Sequence, residues 1–159
     1  MMTRGPLSLI LLPTLLCDAD CEFCIQKKTD GQLTHDELSV VVRKVVDHMV
    51  REHIETLSVY RQGGEVMTPA PEWFEEAHGI IGEAVNSGRR RVEHFVQSNL
   101  IAYSDRRDWV LAQMFGNSVG TSMDYPGLHR KLKRGVRRNT TEYGRGMFER
   151  QEMPASKSG

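Results

Sequence analysis

No apolar run in this 159-residue chain approaches the roughly twenty residues that a helix needs to cross a bilayer. The one sizeable stretch, Leu7 to Leu16, is interrupted by Pro13 and has no small-x-small cleavage site behind Arg4, so it does not read as a signal peptide. An excess of either charge is also missing. The 21 basic and 21 acidic side chains cancel, which argues against wholesale nucleic-acid or membrane binding. Internal repeats and low-complexity segments are absent, and an even set of cysteines is absent too. Three cysteines cannot form the disulfide framework of a secreted chain, and a cytoplasmic compartment, where thiols stay reduced, is the expectation. At 39% hydrophobic and 26% charged residues, the composition is that of one soluble domain.

What is present is concentrated. Cys17, Cys21 and Cys24 are the only cysteines, spaced C-x-x-x-C-x-x-C directly after the apolar run. Three clustered thiolates can hold three corners of an iron–sulfur cube and leave one iron open for chemistry. Structural zinc competes with this reading. It would need a fourth ligand, however, and the nearest histidine, His35, lies eleven positions beyond Cys24, with no second C-x-x-C pair. A chance disulfide between Cys17 and Cys21 is the third alternative.

The chain then alternates strand and helix. Leu7 to Leu12 reads as a strand with both faces covered. Thr34 and Glu37 form a T-x-x-E capping box. They open a helix whose apolar face is Leu38, Val41, Val42, Val45, Val46, Met49 and Val50. Thr56 to Tyr60 is a second strand. Pro69 and Pro71 suit a helix start, with Phe74, Ala77, Ile81 and Ala84 at helical spacing until Gly88. Val92 to Gln97 is a third strand, Ser104 can cap a third helix bearing Trp109, Val110 and Met114, and Ser118 to Met123 is a fourth strand.

Such alternation predicts an α/β fold of parallel βαβ units, a partial (β/α) barrel truncated after about four units, since a full barrel needs about 250 residues. The expected organisation is a leader over 1–6 and a core over 7–125. A segment over 126–159 follows, with basic residues from His129 to Arg138, a helix near Thr140 to Met153 and a disordered end. Parallel barrels place chemistry at the C-terminal ends of their strands. The cysteines, Gly63-Gly64-Glu65, Gln97-Ser98-Asn99 and Ser122-Met123-Asp124 would all meet there. His48, His53 and His78 read as surface or packing residues and His94 as buried and hydrogen-bonded; no histidine is assigned a metal.

These same residues carry a family resemblance. The segment Leu-Pro-Thr-Leu-Leu-Cys-Asp-Ala-Asp-Cys-Glu-Phe-Cys resembles the first strand and cluster loop of the radical S-adenosylmethionine (SAM) superfamily, and Gly63-Gly64-Glu65 resembles its GGE motif. Gln97-Ser98-Asn99 and Ser122-Met123-Asp124 are similar to segments of the SPASM-type subgroup, which contains anaerobic sulfatase maturases and peptide-modifying enzymes. The resemblance covers about residues 7 to 135. It implies a [4Fe-4S] cluster on Cys17, Cys21 and Cys24, with SAM chelating the fourth iron. Reductive cleavage of SAM would then yield a radical that abstracts hydrogen from a peptide or protein. It further implies SAM contacts from Phe23 near the adenine, Gly63, Gly64, Glu65, Ser98, Asn99 and Ser122, and a carboxylate grip from Arg134. Val66 stands where the family usually has proline.

A reductant such as flavodoxin or ferredoxin is implied as partner, and the chain reads as the N-terminal part of a longer enzyme: a fragment, an interrupted gene product, or one half of a split protein whose missing C-terminal half another chain could supply. The alternative is a non-catalytic iron–sulfur or zinc-binding module whose basic segment, Arg130 to Arg138, binds a partner or RNA.

Overall fold

The computed structural model describes residues 5–87, 89–101, 104–116 and 118–121. Three strands, β1 (Leu7–Leu11), β2 (Thr56–Arg61) and β3 (Arg91–Val96), form one parallel sheet in the order β1-β2-β3. Parallel neighbours need crossovers, and helices supply them: α1 (His35–Arg51) between β1 and β2, and α2 (Pro71–Val85) between β2 and β3. A turn of 3₁₀-helix (Asp105–Arg107) leads into α3 (Asp108–Phe115). The α/β class with parallel strands is therefore observed, and no helix among the described residues is long and apolar enough to cross a membrane.

The capping box at the start of α1 is formed as expected. Thr34 Oγ1 accepts from the Glu37 N–H, and the Glu37 carboxylate accepts from the Thr34 N–H. At its far end the helix closes with Ile54 N–H donating to Met49 O, and His53 takes the left-handed conformation, φ 56°, that more often belongs to glycine. Leu38, Val42 and Met49 are the buried face, while Val50, expected on it, is 51% exposed. Helix α2 begins at Pro71, whose missing N–H costs nothing in the first turn, and buries Trp73, Phe74, Ala77, Ile81 and Val85. It ends on Asn86, so Gly88, expected as its stop, falls outside the helix and outside the described residues.

Register places Leu11, Arg61 and Val96 on one face of the sheet, with Leu9, Val59 and His94. This face packs on the helices, and Leu57, Val59 and Val96 join α1, α2 and α3 in one core. Ile10, Tyr60 and Phe95 lie across the opposite face, and Ile10 is 58% exposed. The apolar run of β1 was expected to have cover on both faces. Among the described residues the helices cover only one.

Two further expectations change. The Ser104 side chain makes no capping bond; its hydroxyl instead accepts from the Arg107 guanidinium at 3.2 Å, and a 3₁₀ turn precedes the helix. The fourth strand, expected over Ser118 to Met123, is represented among the described residues by one parallel bridge, Gly120 against Gln97. Ser122, Asp124, Arg134, the basic segment and the expected final helix lie outside the described residues.

Candidate functional site

The cysteine segment leaves β1 and returns to α1 as a loop tied at its neck. Leu15 N–H donates to Gly31 O and Leu33 N–H to Pro13 O, each at 2.9 Å. The buried Thr14 hydroxyl donates to Gly31 O and accepts from Leu16 N–H. Inside the loop, Cys24 N–H donates to Cys21 O, Ala19 N–H approaches Cys17 Sγ, and Lys28 Nζ donates to Ala19 O at 2.6 Å and to the Asp20 carboxylate at 3.0 Å. These bonds fix the path of the backbone through the first two cysteines.

The loop after β2 lies directly on this neck. Gln62, Gly64 and Glu65 donate their N–H groups to Leu11, Thr14 and Leu16 carbonyls, the last at 2.7 Å. Side chains would prevent the approach. A Cβ on Gly64 would collide with Leu16 O, and one on Gly63, at φ 126°, would sit 2.9 Å from Thr14 O. Val66 and Met67, next in the chain, are fully buried core residues. The position where a family proline was anticipated thus anchors the loop by packing.

Glu65 joins the third strand end to the first two. Its carboxylate, 1% exposed, accepts from Ser98 Oγ at 2.6 Å, Asn99 N–H at 2.8 Å and Met67 N–H at 2.9 Å. Burial pushes its pKa up and the three donors pull it back. The Asn99 amide then donates to the Asp18 carboxylate at 2.7 Å, between Cys17 and Ala19, and accepts from Ile101 N–H. Ser98, Asn99 and Glu65 therefore turn polar groups toward one another and toward the cysteine loop.

Together these segments line one cleft of about 340 Å³, bounded by Cys17, Cys21, Phe23, Cys24, Gly63, Gly64, Glu65, Ser98 and Asn99. Nine of the eleven residues singled out from the sequence converge there, and the other two, Ser122 and Arg134, lie outside the described residues. Gln97, expected at this rim with Ser98 and Asn99, lines the cleft too, whereas Asp18, Lys28 and Gln62 were not singled out from the sequence. Asp18, sitting between two cysteines, was the one with a visible signal.

No disulfide joins the cysteines; Cys24 is exposed and the other two are partly so. Burial raises the Cys17 pKa, so that a metal bound there would have to displace its proton. Among the described residues no three Cys, His, Asp or Glu side chains are gathered tightly enough for a single metal ion. A cube, by contrast, spreads its thiolates over separate corners. Three thiols from one loop, facing one cleft, have the donor chemistry that an iron–sulfur cube takes.

No protein-family model matches the chain, and no curated protein matches it. Solved structures do. Native anSMEcpe with bound AdoMet, a radical SAM anaerobic sulfatase-maturating enzyme, aligns at TM-score 0.71 and 23% identity, over 93% of this chain and 42% of that one. The same enzyme with AdoMet and the Kp18Cys peptide gives 0.71 and 23%, over 94% and 42%. With the Cp18Cys peptide it gives 0.70 and 23%, over 94% and 41%. The chain shares this fold. It spans about two fifths of the length of these structures.

Proposed function

We propose that the chain is the cluster- and SAM-binding part of a radical SAM enzyme that acts on a peptide or protein. The observation that carries the reading is the cleft. Three cysteines, the Gly63-Gly64-Glu65 turn and the Ser98-Asn99 turn come from three different strand ends and line it together. A simple metal clip needs only the first of these. Likeness in fold to a maturase solved with AdoMet and peptides supports both the cofactor and the substrate class.

On this reading Cys17, Cys21 and Cys24 hold a [4Fe-4S] cluster. Bound there and reduced by a flavodoxin or ferredoxin, it supplies the electron for cleaving S-adenosylmethionine and so the radical chemistry. The protein's own contribution is positional. Gly63 and Gly64 let the second loop close on the first. Glu65 sets Ser98 and Asn99, and Asn99 holds Asp18 and hence the start of the cysteine loop. Phe23 offers a ring to the adenine, and Ser122 and Arg134 are assigned to SAM by the resemblance alone.

The test is anaerobic incubation of the iron- and sulfide-loaded protein with dithionite and SAM, reading 5'-deoxyadenosine and methionine. Formation of both, lost in Cys17→Ala, Cys21→Ala and Cys24→Ala, is the expected result. A loaded protein that leaves SAM intact would overturn the enzyme reading.

A further inference from the structure

Lys28 ties the cysteine loop from its far side. It follows Cys24 by four positions, and its side chain reaches back to donate to Ala19 O at 2.6 Å and to the Asp20 carboxylate at 3.0 Å. The two contacts are unequal. Asp20 is 73% exposed, so water screens its charge and the ion pair contributes little. Ala19, between Cys17 and Cys21, is buried, and the Lys28 side chain is only 18% exposed. A charged donor on a carbonyl shielded from water makes the stronger bond.

An uncharged donor could hold that carbonyl as well. What lysine adds is a positive charge, and Lys28 lines the cleft. Among the described residues that line it, Lys28 is the one cation and Glu65 the one carboxylate. Asp18 is held beside them by Asn99. Burial is the main influence on the Cys17 thiol; of the charges among the described residues that act on it, Asp18 and Glu65 are negative and Lys28 alone is positive. Three thiolates facing the same cleft add further negative charge. On the function proposed above, this site must also accept an electron before SAM is cleaved. A cation held largely out of water favours the more negative of two charge states, because screening is weak there.

We propose, resting on that reading, that Lys28 is a positioning residue whose ammonium pins the chain between Cys17 and Cys21 and favours one-electron reduction at the cleft. The electron comes from a flavodoxin, a ferredoxin or dithionite, and takes [4Fe-4S]²⁺ to [4Fe-4S]⁺.

The test is a redox titration of the loaded full chain, followed by electron paramagnetic resonance. Lys28→Met keeps the stem and removes the charge; it should be about tenfold harder to reduce, a midpoint about 59 mV lower for one electron. Lys28→Arg, which keeps the charge, should restore the wild-type midpoint. A lysine that only tethers the loop would leave the midpoint unmoved in Lys28→Met, and that result would overturn the proposal. Amide hydrogen exchange of the unloaded chain reads the tether separately, and serves if Lys28→Met assembles no cluster. Exchange over 17–24 should quicken in Lys28→Met and not in Lys28→Arg, while α1 and α2 keep their protection; unchanged exchange would also overturn the proposal. A wild-type chain that assembles no cluster sinks the function proposed above and this role with it, whereas an intact cluster with an unmoved midpoint sinks the role of Lys28 alone.

Discussion

Gly64 shows how much can depend on a missing Cβ. Its own N–H donates to Thr14 O while its Cα faces Leu16 O, so two loops touch along their backbones. Gly64→Ala should lower unfolding free energy by about 1–3 kcal/mol in a denaturant titration, because the atom in the way is backbone and cannot rotate aside. Gly79→Ala, in α2 with open space around its Cβ, should raise it by about 0.5–1 kcal/mol. Opposite signs would separate the contact from a general intolerance of alanine. His94 supplies a pH dependence. Burial, then Arg61, then His78 lower its pKa to about 3 in the folded state, against an ordinary value near 6.5. The unfolded chain therefore binds the extra proton between these values, and the folding contribution of neutral His94 is lost as pH falls from about 6.5 towards about 3. His94→Asn, which can still accept from Arg61, should flatten that limb of a stability–pH curve. The motif Gly63-Gly64-Glu65 was legible as a special turn. That its glycines fit the neck of another loop, and that its carboxylate holds Ser98, was not, because spacing along a chain does not show which backbone will lie 3 Å away.

At the scale of elements, the capping box was legible, whereas the Ser104 cap and the cover on each apolar face were not. The capping box of α1 depends on two side chains three positions apart and forms as written; Thr34→Ala should cost about 0.5–2 kcal/mol by thermal or chemical unfolding. Helix α1 also ends in a left-handed residue that no glycine announced. His53→Gly should recover stability, by at most about 1–2 kcal/mol in a denaturant titration, by relieving the strained φ. The exposure of Ile10 and Val50 could not be read from their apolar runs. Hydrophobicity says that a residue can be covered, and only the arrangement of the helices says whether it is. Ser104 is similar, a good capping residue whose hydroxyl meets Arg107.

For the whole molecule, strand–helix alternation was sufficient to give a parallel α/β sheet, and parallel topology alone sent the strand-end loops to one rim. That is why nine of the residues chosen from sequence meet in one cleft, although none of their contacts was visible beforehand. The cleft binds the account together: it makes the cysteines, the double-glycine turn and the Ser98-Asn99 turn parts of one site. The most direct test is electron paramagnetic resonance of the anaerobically reconstituted and reduced protein, with and without SAM. The account predicts a [4Fe-4S]⁺ signal that SAM perturbs and that Cys17→Ala, Cys21→Ala or Cys24→Ala abolishes. A protein that takes up zinc and assembles no cluster, or a cluster whose signal ignores SAM, would contradict it.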